Sequence, residues 1–169
     1  LTTTADQDLN LGRRYREVLA QIPKGVMVVA ADGLDGPVGM TATAANALSL
    51  DPPLFLVCMR SGSRTLGWLR RRGAFGVSVL REAHRDVSER CAGRAADAVR
   101  EVCYRRAHGV PVLDDALAWL ACRVHAEYPG GDHVIVVGAV TTVSCNAGDP
   151  LVWHRSGYRA VTDLTTADG

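Results

Sequence analysis

The sequence predicts a mainly β protein, an antiparallel barrel that is closed or nearly closed and carries a few short helices. Three observations predict it. Apolar segments of strand length recur along the chain, separated by turns rich in Gly, Pro and Asp. Strands do not alternate regularly with long helices, which disfavours a parallel α/β sheet. The glycines at 33, 36 and 39 fall in a hairpin-like turn rather than at a strand-to-helix junction, so a dinucleotide fingerprint of the Rossmann type is missing.

The elements follow in order. Residues 1–10 are polar and aperiodic, and a flexible tail is expected over 1–12. Tyr15, Val18, Leu19 and Ile22 make one apolar helical stripe, which Pro23 stops. Residues 25–31 form a Val-rich strand, 32–37 a turn, and 38–43 a return strand. Pro52 and Pro53 interrupt the ladder before a second apolar strand at 54–59. Ser63 is placed to cap a helix over 65–72, with Gly73 where a C′ glycine belongs. Phe75, Val77 and Val79 alternate with Gly76 and Ser78, and 84–91 reads as a short helix. Residues 92–112 give no clear element. In the longest strand, Ala118, Leu120, Cys122, Val124 and Ala126 share one face, and Trp119, Arg123, His125 and Glu127 share the other. The turn Pro129-Gly130-Gly131-Asp132 leads to a strand at 133–143, and a last short one lies at 151–154. With no repeat and no linker, one domain over 13–160 followed by a tail at 161–169 is the economical organisation.

Composition excludes several function classes. A net charge of +1 selects neither nucleic acid nor an anionic membrane as partner. No apolar run reaches the length of a membrane span, and no charged-then-apolar leader opens the sequence. The 5 cysteines form no CxxC pair, so the expected compartment is reducing cytoplasm. Cys122 and His125 have metal-like spacing but no second pair, and alternation puts them on opposite faces, so no metal site is expected.

Four segments can carry chemistry. The run from Gly36 to Asn46 is rich in small and hydroxyl side chains, which let a flat ligand approach backbone N–H groups; an ordinary packed Gly/Ala strand has the same composition. In Cys58-Met59-Arg60-Ser61-Gly62-Ser63-Arg64-Thr65 a strand ends, two guanidiniums cluster and a helix begins, which suits an anion; a capped helix with solvated arginines is the plainer alternative. His133 follows a turn at a strand mouth. Trp153-His154-Arg155-Ser156-Gly157-Tyr158 joins groups that can stack on a base and hold a pyrophosphate; a C-terminal strand with exposed polar ends is the plainer alternative.

Read together, these segments resemble the flavin reductases of two-component monooxygenase systems. The similarity runs from about Arg13 to Arg159 and is carried by five ordered motifs: GPVGMTATAANALSLDPPLFLVCM (36–59), SRT (63–65), GAFGVSVL (73–80), GDHVIVVGAV (131–140) and PLVWHRSGY (150–158). The resemblance implies a homodimeric Greek-key split β-barrel. It implies that Val38, Gly39, Met40, Thr41, Thr43, Ala44 and Ala45 line the ring and ribityl portion of FAD or FMN. Cys58, Met59, Arg60, Arg64 and Thr65 would lie along the flavin phosphate, and Arg90 would reach its phosphate or adenylate end. His133, Trp153, His154, Arg155 and Ser156 would lie nearest NADH, with NADPH as the alternative reductant.

The chain departs from the family pattern at three places. Ala44-Ala45-Asn46-Ala47 replaces a hydroxyl-rich run, Cys91 replaces an aromatic, and Lys24 replaces a common threonine. The resemblance implies an NAD(P)H:flavin oxidoreductase that supplies reduced flavin to a partner monooxygenase or halogenase. Such a hydride transfer needs no nucleophile and no strong acid, so His133 would orient the nicotinamide rather than shuttle an essential proton. A non-catalytic flavin carrier is the alternative reading.

Overall fold

The computed structural model describes residues 4–93 and 102–163, with side chains from Asn10 onward. Helix α1 (Thr4–Ala20) leads into β1 (Lys24–Gly25), β2 (Met27–Asp32), β3 (Pro37–Ala42), β4 (Ala45–Leu50) and β5 (Pro53–Arg60). Then come α2 (Arg64–Arg72), β6 (Ala74–Val79), a 3-10 turn (Glu82–His84) and α3 (Arg85–Ala92). The hairpin β7 (Tyr104–Ala107) and β8 (Val110–Leu113) follows, then β9 (Ala118–Gly130), β10 (His133–Cys145), β11 (Val152–His154) and β12 (Gly157–Arg159).

One antiparallel sheet of 7 strands, ordered β3-β2-β6-β9-β10-β5-β4, forms the body. Its two edge strands, β3 and β4, are separated only by Thr43 and Ala44. Edges that meet through so short a connection force the sheet to curl back on itself. Ala44 accepts a hydrogen bond from the Cys58 N–H at 2.8 Å, which carries the β4–β5 ladder one residue toward β3. Two register shifts in the β9–β10 ladder add local twist in the same sense. The expected mainly β split barrel is the fold observed.

Two cores lie on either side of β2. Val29 and Ala31 face the barrel interior with Phe55, Val57, Met59, Phe75 and Val136, capped by Leu66 and Leu69 of α2. Val28 and Ala30 face a second cluster with Leu80, Cys91 and Leu113, against which Trp153 and Tyr158 pack. A strand buried on both faces reads as a continuous apolar run, which is why 25–31 is Val-rich.

The same reasoning corrects the alternation expected of 75–79. Phe75, Val77 and Ser78 are all buried, because the β7–β8 hairpin covers the outer face of β6. Ser78 Oγ accepts the Leu113 N–H at 2.9 Å, and a Cβ on Gly76 would overlap the Pro111 carbonyl oxygen. Trp119 is buried for the same reason, with Val110 and Val112 of the hairpin over it. The hairpin falls within the stretch from which no element is readable, 92–112, apart from its last residue, Leu113. Its turn is His108-Gly109, with φ of 46° and 83°.

Helix α2 forms as expected. Ser63 Oγ accepts the Leu66 N–H at 3.4 Å, and Gly73 closes the C-terminus at φ 64°, its N–H bonded to the Leu69 carbonyl. Of the three arginines in its last turn, Arg70 pairs with Glu127 at 2.7 Å, and Arg72 donates to the Asp32 and Gly33 carbonyls. The tail expected over 1–12 is helical from Thr4: Leu11 sits one turn before Tyr15 and extends the same stripe. Residues 1–3, 94–101 and 164–169 lie outside the described residues. No described helix is long and apolar enough to cross a membrane.

The cysteines are all free thiols. Burial raises the thiol pKa of Cys91 and pushes that of Cys122 up to about 12, whereas Cys103 and Cys145 are exposed. Since the thiolate is the reactive form, a thiol reagent is expected to modify Cys103 and Cys145 in the native protein and to reach Cys91 and Cys122 only on denaturation. Peptide mapping after brief alkylation checks this, and prompt labelling of Cys122 would contradict the packing described.

Candidate functional site

The candidate flavin strand is β3. Its residues alternate between two occupied faces. On one face Gly39 lies under Tyr104, whose hydroxyl would sit 2.5 Å from a Cβ at that position. Thr41 on the same face donates its Oγ1 hydrogen to the Ser88 carbonyl at 2.6 Å. On the other face Met40 packs on the barrel core, and its sulfur accepts a bond from Ser63 Oγ at 3.4 Å. The face of Gly39 toward Tyr104 is therefore packed, and a ligand would approach β3 along its edge. Among the described residues only β2 pairs with β3, so its outward N–H and C=O groups have no ladder partner there. Thr43 and Ala44 continue that edge around the mouth of the barrel, and Ala45 begins β4.

The candidate phosphate segment is divided by the pleat of β5. Met59 points into the core and is 0 % exposed, and Thr65 is 4 % exposed, so neither side chain is available to a ligand. Any contact that either residue makes with a ligand would run through its backbone. Cys58 and Arg60 lie on the opposite face of the strand. Arg60 and Arg64 are exposed and form no ion pair among the described residues. The first turn of α2 leaves the Arg64 and Thr65 N–H groups without intrahelical acceptors, at the positive end of the helix dipole.

His133 is brought to this same corner. It pairs in register with Arg60 across the β5–β10 ladder. Ser61 binds the Asp132 carbonyl twice, through its N–H at 3.1 Å and its Oγ at 3.1 Å. Asp132 Oδ1 lies 2.7 Å from His133 Nδ1. The hydrogen bond and charge of His133, with the charge of Arg60 behind them, hold the Asp132 carboxyl below its usual range. Asp132 is the side chain at this corner that the sequence reading did not single out. Its signal was its place directly before His133. An Asp held as carboxylate on Nδ1 fixes the ring and leaves Nε2 to face a ligand.

The remaining expected residues fall elsewhere. Arg90 is exposed on α3, whose buried Ser88 and Cys91 face the protein interior. Trp153 and His154 lie on β11, and Arg155 and Ser156 form the turn to β12 with φ of 49° and 57°. That hairpin pairs with β1. Arg155 is held at the end of α1: its N–H bonds the Ala20 carbonyl, and its Nε bonds Gln21 Oε1, both at 2.9 Å. No described hydrogen bond or strand pairing joins the hairpin to His133, so the expected nicotinamide group is not assembled by such contacts. A separate cleft of about 430 Å³ lies at the far end of α2, lined by Arg72, His108, Cys122, Arg123 and Thr141, and shares no residue with this site.

Comparison with known proteins decides the family. The flavin reductase like domain matches residues 19–162. The chain belongs to the flavin reductase family.

Its relatives include the reductase component of a 4-hydroxyphenylacetate 3-monooxygenase from Thermus thermophilus, 45% identical over 86% of this chain and 93% of that protein. A flavin reductase (NADH) from Kitasatospora aureofaciens is 40% identical over 87% of this chain and 80% of its own length. Among solved structures, a Streptomyces globisporus NADH:FAD oxidoreductase in complex with NAD and FAD fragments is 30% identical, covers 99% of each chain and superposes with a TM-score of 0.83.

The donor set at the mouth of the barrel fits a flavin reductase. An unpaired strand edge suits the polar rim of a flat ring, and the paired features of two exposed guanidiniums and two free helix amides suit an anionic tail. A flavin bound there would supply the hydride-accepting ring, and Arg60, Arg64, the β3 edge and His133 would supply grip and orientation.

Proposed function

We propose that this flavin reductase uses NADH to reduce FAD or FMN and releases the product to a separate flavin-dependent monooxygenase or halogenase. The carrying observation is the single corner that holds Arg60, Arg64, the first amides of α2 and the Asp132–His133 pair. Arg60 and Arg64 grip the anionic tail of the flavin. The free edge of β3 and the 43–45 turn hold the ring edge. His133, fixed by Asp132, orients the nicotinamide. Arg90 serves the far end of the flavin, beyond Thr41 and Ser88. The groups that hold the ligands are exposed, in keeping with a ligand that comes and goes.

We also assign the protein to a homodimer, and its five free thiols to a reducing compartment. The apolar stripe of α1 supports the dimer: Leu11 is 67%, Tyr15 60% and Val18 62% exposed in the protomer, area that a second subunit would cover.

Gel-filtered protein supplied with each free flavin and each nicotinamide nucleotide tests the function. The expected result is oxidation of NADH that depends on added flavin. Retention of flavin without turnover would instead mark a carrier. Replacing His133 with Ala is expected to lower kcat/KM for NADH roughly tenfold without abolishing turnover, because a ring that orients is worth less than one that transfers a required proton. Complete loss of turnover with flavin binding intact would contradict that role.

A further inference from the structure

We infer that the cleft at the C-terminal end of α2 is a second ligand site, separate from the flavin corner, and that it takes a small organic anion with an oxyanion head on an apolar body.

The cleft holds about 430 Å³, within the range of roughly 300–1,000 Å³ usual for small-molecule sites. Three parts of the fold build it. Arg72 comes from the last turn of α2, and His108 and Val110 come from the β7–β8 hairpin. Ala74, Arg123 and Thr141 come from the sheet. Ala74 and Arg123 are register partners across β6 and β9. Thr141 falls where the β9–β10 register shifts, so the ladder gives it no partner, and its hydroxyl donates to the Ala121 carbonyl at 3.0 Å. Irregularities of this kind re-aim side chains and recur beside binding sites.

Charge decides what the cleft prefers. Two guanidiniums and an imidazole line it, and no Asp or Glu does. The acidic side chains bonded near this end of α2 are committed elsewhere, Asp32 to Arg106 and Glu127 to Arg70. Arg123 is exposed, and its side chain forms no ion pair among the described residues. Arg72 is held differently. Its Nε donates to the Asp32 carbonyl at 3.0 Å, and a terminal nitrogen donates to the Gly33 carbonyl at 2.9 Å. Neutral acceptors fix this guanidinium in place without cancelling its charge, so the cleft contains a preorganised cation as well as a free one. Two carbonyls at the end of α2 that would repel an anion are already bonded. Leu69 accepts the Gly73 N–H and Gly73 accepts the Val124 N–H, both at 2.9 Å. Ala74 and Val110 offer apolar surface to the body that the anion carries.

Benzoate and phenyl phosphate, titrated into the full chain and followed by NMR, test this, with benzamide as the uncharged control. At least one of the anions is expected to bind, and benzamide to bind about tenfold more weakly or not at all. A preference for benzoate marks a carboxylate site and a preference for phenyl phosphate a phosphate-ester site; either upholds the inference. Arg123→Gln should weaken the anion by about fivefold, the worth of one charge-assisted bond at an exposed site. The Kd of FMN should stay within about twofold in that variant, because the cleft shares no residue with the flavin corner. Excess FMN or NADH should not displace the anion. Binding of neither anion, binding no tighter than that of benzamide, an unchanged Kd in Arg123→Gln, or displacement by FMN or NADH would overturn the inference. None of these readouts uses turnover, so the inference stands or falls apart from the reductase reading.

Discussion

Arg60→Ala and Arg64→Ala are each expected to raise the KM for FMN about tenfold, or about 1.4 kcal/mol, with kcat nearly unchanged. Both guanidiniums are exposed at the barrel mouth and neither is committed to an ion pair among the described residues. A charge-assisted bond to a phosphate oxygen is worth roughly 1.5–3 kcal/mol, and solvent at an exposed site keeps the effect near the lower end. The phosphate grip is made equally in ground and transition states, so the loss appears in KM. Riboflavin, which lacks the phosphate, is the internal control. Its KM should hardly move in either variant. Equal effects on FMN and riboflavin would place the arginines against the ring system and not the tail. Raising the salt concentration should weaken FMN binding to the unaltered protein and have little effect on the double variant.

Gly76→Ala is expected to destabilise the fold by about 3 kcal/mol or more, the upper range for an overpacked core. For a chain of this size that lowers the melting temperature by roughly 6–12 °C. The new methyl would overlap the Pro111 carbonyl oxygen and lie 2.8 Å from a Val112 methyl. Pro111 cannot yield without dragging the β7–β8 hairpin off β6, which also breaks the bond from Leu113 N–H to Ser78 Oγ. Thermal unfolding followed by far-ultraviolet circular dichroism measures the loss. A fall of less than about 3 °C would mean that the hairpin yields easily and that β6 is not covered as described.

Much of this architecture was legible in the residues. Ser63 and Gly73 bracket α2 because capping chemistry is local. The β9–β10 hairpin is legible because Gly131, at φ 71°, sits in a turn between two long alternating strands. Strand β4 was not legible. Its Asn46, Ala47, Leu48 and Leu50 are exposed, so an edge strand there leaves no hydrophobic period to read. The β7–β8 hairpin was hidden for a related reason. Its turn is His108-Gly109 rather than Asn-Gly, and Arg105 and Arg106 on β7 mask the strand pattern.

In the site, the local signals succeeded and the long-range ones did not. Arg60, Arg64 and the start of α2 lie where the capping pattern put them. The meeting of Arg60 with His133 depends on the β5–β10 register, which no local pattern specifies. Met59 is separable from its strand neighbours by pattern alone. A period of two already puts Met59 on the face opposite Cys58 and Arg60. The occupation of both β3 faces was beyond reach, since it depends on Tyr104 and Ser88 arriving from distant segments.

Anaerobic mixing of flavin-saturated protein with NADH tests the central claim most directly. The barrel mouth is held to place a flavin against a nicotinamide, so the flavin absorbance should bleach at a rate that saturates with NADH and far exceeds that of the same flavin free in solution. Flavin that binds, as its quenched or shifted fluorescence would show, yet bleaches no faster than free flavin would contradict the account.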